Sequence, residues 1–169
     1  ELPLLEVPEL PSLDNFSPDE VPSPLGLAKR EYVLQLYQNP VGILVEKEAD
    51  GSYLYRVVEP YLDKKLVDTA KEMYGKDFER DNSLFDNTSF LKKVTQKVTS
   101  KLSVPYSDML PQKIQYYLER DLLGAGPFDP LLYDEKLKTI ICDGPNKAIR
   151  INYADLGTMP TNVTISNEE

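Results

Sequence analysis

Between residues 31 and 58 the apolar positions recur with a period of two. Tyr32 to Tyr37 is rich in aromatic and aliphatic residues. Val41, Ile43 and Val45 alternate with Gly42, Leu44 and Glu46, and Tyr53, Tyr55 and Val57 repeat the pattern. Such alternation turns one side of an extended chain toward a core. Between the second and third runs stands Asp50-Gly51, a strong hairpin signal because glycine accepts the positive φ that a primed turn needs. The pattern predicts a three-stranded antiparallel meander over 31–58, closed by Pro60.

The period then lengthens. Leu62, Leu66, Val67, Ala70, Met73 and Tyr74 recur at three- and four-residue spacing, which predicts a helix, with Gly75 placed as its left-handed C-terminal cap. Phe90, Val94, Val98 and Leu102 form a stripe on a second helix over about 86–103. A third is predicted over about 107–123, with Ser107 as N-cap and Pro111 tolerated in the first turn. Ile114, Tyr117, Leu118 and Leu122 would be its buried face, and Gly124 or Gly126 would end it. From 137 the period returns to two. Leu137 to Cys142 reads as a strand, Asp143-Gly144-Pro145-Asn146 as a turn, and Ala148 to Tyr153 as the partner strand. After "ADLGT", the run "TNVTI" reads as a third strand. The expected class is α+β: a small antiparallel β-meander with a three-helix unit, then the start of a second small α/β subdomain of three strands. The expected divisions are 1–24, 25–124 and 125–169.

The first division is an arm. Residues 1–24 hold Pro3, Pro8, Pro11, Pro18, Pro22 and Pro24, each without a donor and each pushing its predecessor toward extended geometry. Leu2, Leu4, Leu5, Leu10, Leu13 and Phe16 make it too apolar for a free solvated tail. It reads either as an arm lying along the domain surface or as an extended peptide that docks on a partner, with Leu4, Leu5 and Phe16 as contacts.

Composition narrows the function classes. At 41% apolar and 28% charged residues the chain reads as globular, and no run approaches the ~18 to 20 apolar residues of a spanning helix. Glu1 to Glu6 lack the basic-then-apolar pattern of a secretory signal. One cysteine, Cys142, makes a reducing, cytoplasmic setting the simpler assumption. Histidine is absent, which removes Ser-His and Cys-His nucleophile systems and most zinc sites. A net charge of −9 disfavours nucleic acid and direct bilayer insertion. Against it stand Lys92, Lys93, Lys97 and Lys101 on the second helix, with no acid between them. This strip reads as a solvated face, a docking surface for an acidic partner, or a seat for the acidic arm.

Two stretches resemble phosphate loops and fail on chemistry. In "LLGAGPFDPLLYD" (122–134) a helix precedes the glycines instead of following them, and Asp129 stands where a third glycine belongs; a carboxylate there would repel phosphate. In "AKEMYGKD" (70–77) Ala70 replaces the first glycine of a P-loop and Asp77 the metal-ligating hydroxyl. Asp129, Asp134, Glu135 and Asp143 cluster around turns with no EF-hand spacing, so Asx-turn and capping roles are expected. Cys142 is expected to be a buried, inert thiol.

The order of residues from 116 to 165 resembles the N-terminal region of the type II/IV secretion-system ATPases, most closely their archaeal branch of archaellum and type IV pilus assembly motors. The matching residues are Tyr117-Leu118-Glu119-Arg120-Asp121, Gly124, Gly126, Asp129-Pro130-Leu131-Leu132, Asp134, Asp143-Gly144 and Thr161-Asn162. Upstream, "VVEPYL" (57–62) looks like an Glu-Pro motif of the same members. Ala125, Phe128 and Glu135 depart from the pattern. The resemblance implies a homo-hexameric cytoplasmic ATPase, peripheral to the inner face of the membrane through its partners. It also implies a motor domain carrying ATP and Mg downstream of Glu169. This chain would then be a non-catalytic regulatory and docking region with no cofactor, metal or catalytic residue of its own. Its partners would be its own motor domain, neighbouring subunits, a polytopic membrane platform protein and accessory proteins. The sheet over 137–165 would pack on the third helix or pair with another copy. A self-standing ligand-binding or adaptor domain remains the alternative.

Overall fold

A computed structural model describes residues 20–22 and 28–166. The alternating segments form the expected meander: β2 (Ala28–Leu36), β3 (Asn39–Lys47) and β4 (Tyr53–Val58) pair antiparallel in sequence order. A short strand, β1 (Glu20–Pro22), pairs antiparallel with the start of β2. The β2–β3 turn is made by Tyr37 and Gln38, both at positive φ (48° and 59°). Left-handed geometry costs a side-chain-bearing residue roughly 1–2 kcal/mol. Here one local and one tertiary bond offset it: Asn39 Nδ2 donates to the Tyr37 carbonyl (2.9 Å) and Gln112 Nε2 to the Gln38 carbonyl (2.8 Å).

The helical unit follows. Asp63 caps α1 (Lys64–Arg80) by accepting from Lys65 N at 2.9 Å. The expected stop at Gly75 is overturned: α1 continues to Arg80, and Gly75 is buried within it. The fully buried Phe78, one turn further on, outweighs the ~1 kcal/mol that an interior glycine costs. A 3-10 turn (Asn82–Asp86) leads to α2 (Thr88–Leu102), capped by Asn87 and closed by Ser103 at φ 55°. The third helix, α3 (Leu110–Leu122), starts three residues later than expected. Ser107 gives no side-chain cap, and its carbonyl accepts from Leu110 N instead (3.1 Å). A 3-10 turn (Gly126–Phe128) and the one-turn α4 (Asp129–Leu132) then lead to β5 (Leu137–Ile141), β6 (Ala148–Tyr153) and β7 (Gly157–Thr164).

The strand order is β1-β2-β3-β4-β7-β6-β5. All neighbours are antiparallel except β4 and β7, which meet in parallel at Tyr55 and Thr161. The sheet therefore runs across the boundary expected near residue 124. Asn162 fastens this seam as a strand would, its Oδ1 accepting from Val57 N (2.7 Å) and its Nδ2 donating to Val57 O (2.9 Å).

Two cores result. One lies on the inner face of the sheet, with Ile43, Tyr55, Ile151, Tyr153 and Val163 around Tyr116 of α3. The other lies among the helices, with Ala70, Phe78, Phe85, Val94 and Val98 around Ile114 and Leu118 of the same α3. Tyr116 of α3 and the inward residues of the strands from 137 to 165 belong to one core, and the strand that α3 itself chiefly approaches is β3. Cys142 is exposed rather than buried, because β5 ends at Ile141 and Cys142 opens the turn.

Candidate functional site

On the face of α3 toward the sheet, five polar side chains spaced at 112, 113, 116, 117 and 120 reach residues of the sheet and its exits. Gln112 bonds the β2–β3 turn, Lys113 Nζ donates to the Tyr61 carbonyl (3.0 Å) and Tyr117 OH donates to the Pro60 carbonyl (2.8 Å). Tyr116 OH and Arg120 Nη1 both donate to Glu59 Oε1, each at 2.7 Å. Helical spacing puts these positions on one stripe, so a single helix can be bonded along its length to the segment leaving β4. The "EPY" and "YYLER" stretches, 57 residues apart in sequence, form one structure.

Arg120 is the centre of this stripe. It is 9% exposed, lies over the Tyr117 ring at 4.7 Å, and its Nε donates to Asp121 at 2.7 Å. Burial works against its charge, but the bond to Asp121 and the charge of Glu59 more than compensate, and its pKa rises above the ordinary guanidinium value. Asp121 also pairs with Lys71 of α1. The chain Glu59–Arg120–Asp121–Lys71 thus ties sheet, α3 and α1 together. Burial, then the charge of Glu59, pushes the Tyr117 phenol up to about 12.

The glycine-rich turn continues the joint. A Cβ on Gly124 would stand 1.9 Å from Asp129 Oδ2, 2.5 Å from Tyr37 OH and 2.8 Å from the Arg120 carbonyl. Glycine is required because Asp129, 2% exposed, is turned back against it. Asp129 accepts from Tyr37 OH (2.5 Å) and from Ala125 N (2.8 Å). That backbone N–H, which a phosphate loop would offer to its ligand, is thereby taken. Gly126, at φ 60°, makes the bend that follows.

Asp134, 4% exposed, forms a second lock inside the sheet. One of its oxygens accepts from Tyr32 OH and from Tyr55 OH (2.6 Å), and the other from Lys136 N (2.9 Å). The last bond is the Asx-turn role expected from sequence; the tyrosine bonds are additional. Burial, followed by the bonds to these carboxylates, raises the pKa of Tyr32, Tyr37 and Tyr55 well above the ordinary phenol value. At Tyr116 burial is followed by the charge of Glu59.

Of the positions singled out in sequence, Arg120, Asp121, Gly124, Asp129 and Pro130, Asp134, Thr161 and Asn162 converge on this joint or its seam. Asp143 and Gly144 lie apart in the β5–β6 turn, where Asp143 pairs with Arg150 (2.8 Å) and Gly144 adopts φ 115°. Lys92, Lys93, Lys97 and Lys101 are exposed on α2, away from the joint. Lys101 pairs with Glu72 at 3.1 Å. Leu4, Leu5 and Phe16 lie outside the described residues. Sequence reasoning missed Tyr32, Tyr37, Tyr55, Lys71 and Tyr116, and it had Glu59 only within a motif, not as the partner of Arg120 and Tyr116. The signal was present: tyrosines at inward strand positions carry hydroxyls that need buried acceptors.

Two open clefts border the joint, of about 480 Å³ beside Leu62, Lys71 and Arg120, and about 540 Å³ beside Asp121 and Gly124 to Phe128. Their shared charged rim is Lys71–Asp121. Among the described residues no group of three or more acidic or cysteine side chains is placed to hold a metal ion. No helix among them is long and apolar enough to cross a membrane. The carboxylates of the joint accept from hydroxyls, cations and backbone N–H groups, and this arrangement suits fastening elements to one another.

No family profile matches the sequence. The chain is similar to an uncharacterized protein of Methanocaldococcus jannaschii, MJ1288, at 24% identity over 125 residues, covering 68% of this chain. It spans about half the length of that curated relative (48%).

Proposed function

We propose that this chain is a regulatory and docking region of a secretion, type IV pilus or archaellum assembly ATPase. Its work is mechanical: it passes motion from a motor domain to a cytoplasmic-side membrane platform and its accessory proteins. The observation that carries this reading is the convergence on one joint of segments that resemble that family. Glu59-Pro60, Arg120-Asp121, Gly124, Asp129-Pro130, Asp134 and Thr161-Asn162 are scattered over a hundred residues, yet most are bonded to one another or to immediate neighbours of one another. Such a joint suits a lever that must keep its shape under load.

The reading places ATP and Mg on a separate motor domain. Reading the gene downstream of the Glu169 codon tests it: a G-x-x-x-x-G-K-[ST] within roughly the next hundred residues is expected. A stop codon there, or saturable ATP binding by this chain alone in calorimetry, would overturn it in favour of a self-standing ligand-binding domain.

A further inference from the structure

The outer face of the meander carries an apolar patch that nothing among the described residues covers. Val33, Gly42 and Val58 are direct cross-strand neighbours on that face, and Val33 and Val58 are each 57% exposed. Gly42 leaves a notch between them. Beside it opens a mainly apolar groove of about 400 Å³, walled by Pro40, Gly42, Val58, Pro60 and Met109, with Lys113 on its rim. Met109 is 67% exposed and the adjoining Tyr61 86%. Contiguous apolar surface of this kind marks an interaction site.

We propose that the occupant is this chain's own N-terminal arm, residues 1–19, with Phe16 and Leu13 seated in the groove. Three observations select it. First, β1 runs antiparallel to β2 with Glu20 opposite Arg30, so going back from Glu20 follows the direction in which β2 advances past Val33 toward the groove. Second, the lengths match. The groove at Gly42 lies about 10 Å along the strand direction from Arg30 and two strand spacings, about 10 Å, across from β1, a diagonal of ~14 Å; Phe16, four residues ahead of Glu20, spans up to ~13 Å before its ring is counted, and Leu13 up to ~23 Å. Third, the chemistry is complementary. The arm interleaves apolar residues with Glu1, Glu6, Glu9, Asp14 and Asp19 and contains no basic residue; of the charged side chains lining the groove, Glu59 is paired with Arg120, whereas Lys113 bonds a carbonyl and has no ion pair among the described residues. The inference does not depend on the motor reading.

Nuclear magnetic resonance on the full chain tests it. Cross-relaxation between the Phe16 ring and the methyl groups of Val33, Val58 and Met109 is expected. Phe16→Ala should abolish it and move those methyl signals, with loss of the ring's shielding. The contacts should survive dilution and added salt. Phe16 contacts that vanish on dilution would replace the arm with a second copy of the chain. Salt-sensitive contacts with Lys93 and Lys97 would place the arm on the lysine face of α2. Unmoved Val33, Val58 and Met109 signals in Phe16→Ala would also overturn the proposal. Phe16 lies outside the described residues, and an unchanged far-ultraviolet spectrum of Phe16→Ala separates loss of docking from unfolding.

Discussion

The two cores of this protein are built by different means. The helical core is aliphatic and phenylalanine-rich, with Phe78 stacked on Phe85 at 4.5 Å and set edge-on to Phe90 at 5.5 Å. Its buried Thr95 and Thr99 bond only carbonyls of their own helix. The sheet core instead carries the buried Tyr55 and Tyr116 and the half-buried Tyr37, whose hydroxyls end on Asp134, Glu59 and Asp129; of its fully buried tyrosines Tyr153 makes no such bond. Apolar packing rewards burial without much regard to partner, and it suffices where α1, α2 and α3 follow one another closely. Where segments a hundred residues apart must meet in one register, a carboxylate that accepts from particular hydroxyls specifies the partner as well.

The contrast can be broken from either side. Phe78→Ala should give the largest loss, about 3–5 kcal/mol, read by urea unfolding; a small loss would show that the helical core collapses around the cavity. Gly124→Ala comes next at about 3 kcal/mol, since the new methyl must displace Asp129 from Tyr37. Its sign is diagnostic, because at an unconstrained site the same change would stabilise by ~0.4–1 kcal/mol through the unfolded chain. Asp134→Ala should cost about 2–3 kcal/mol by leaving two buried hydroxyls without an acceptor. Adding Tyr55→Phe to that variant should return part of the loss. Simple additivity of the two would show that no lock exists.

The smallest effect is electrostatic and confined to the sheet core and the face of α3 against it. Tyr117 titrates in the fold at about 12 against roughly 10 in an unfolded chain, and Tyr32, Tyr37, Tyr55 and Tyr116 shift the same way. Above pH 10 the unfolded chain therefore holds fewer protons than the native one. The stabilisation is complete below pH 10 and is lost as pH rises through and beyond 12. Tyr117→Phe should flatten the start of that decline in a pH series of thermal unfolding.

Much of the meander and the helical unit was legible in the sequence, because period two and period 3.6 report burial on one side of a local element. The misplaced end at Gly75 shows the limit of a local signal: a glycine was weighed there without the burial of Phe78 that overrides it. Ser107 failed as a cap for a related reason, since Met109 and Pro111 open α3 without any side-chain cap. The β4–β7 seam was not legible at all. It rests on one parallel residue pair and an asparagine that imitates a strand, and neither leaves a periodic trace. At the joint, the residues Arg120, Gly124, Asp129 and Asp134 could be picked out, but not their partners. Tyr37 and Glu59 lie 92 and 61 residues from the side chains they bond. Of the two glycines that suggested a phosphate loop, Gly124 makes room for a carboxylate and Gly126 makes the bend that follows.

The central claim is that the carboxylate locks and the shared α3 make sheet and helices a single cooperative unit. Urea unfolding of the full chain, followed at once by far-ultraviolet helical signal and near-ultraviolet tyrosine signal, tests it most directly. Coincident transitions are expected. A helical signal that persists after the tyrosine signal is lost, or the reverse, would contradict it.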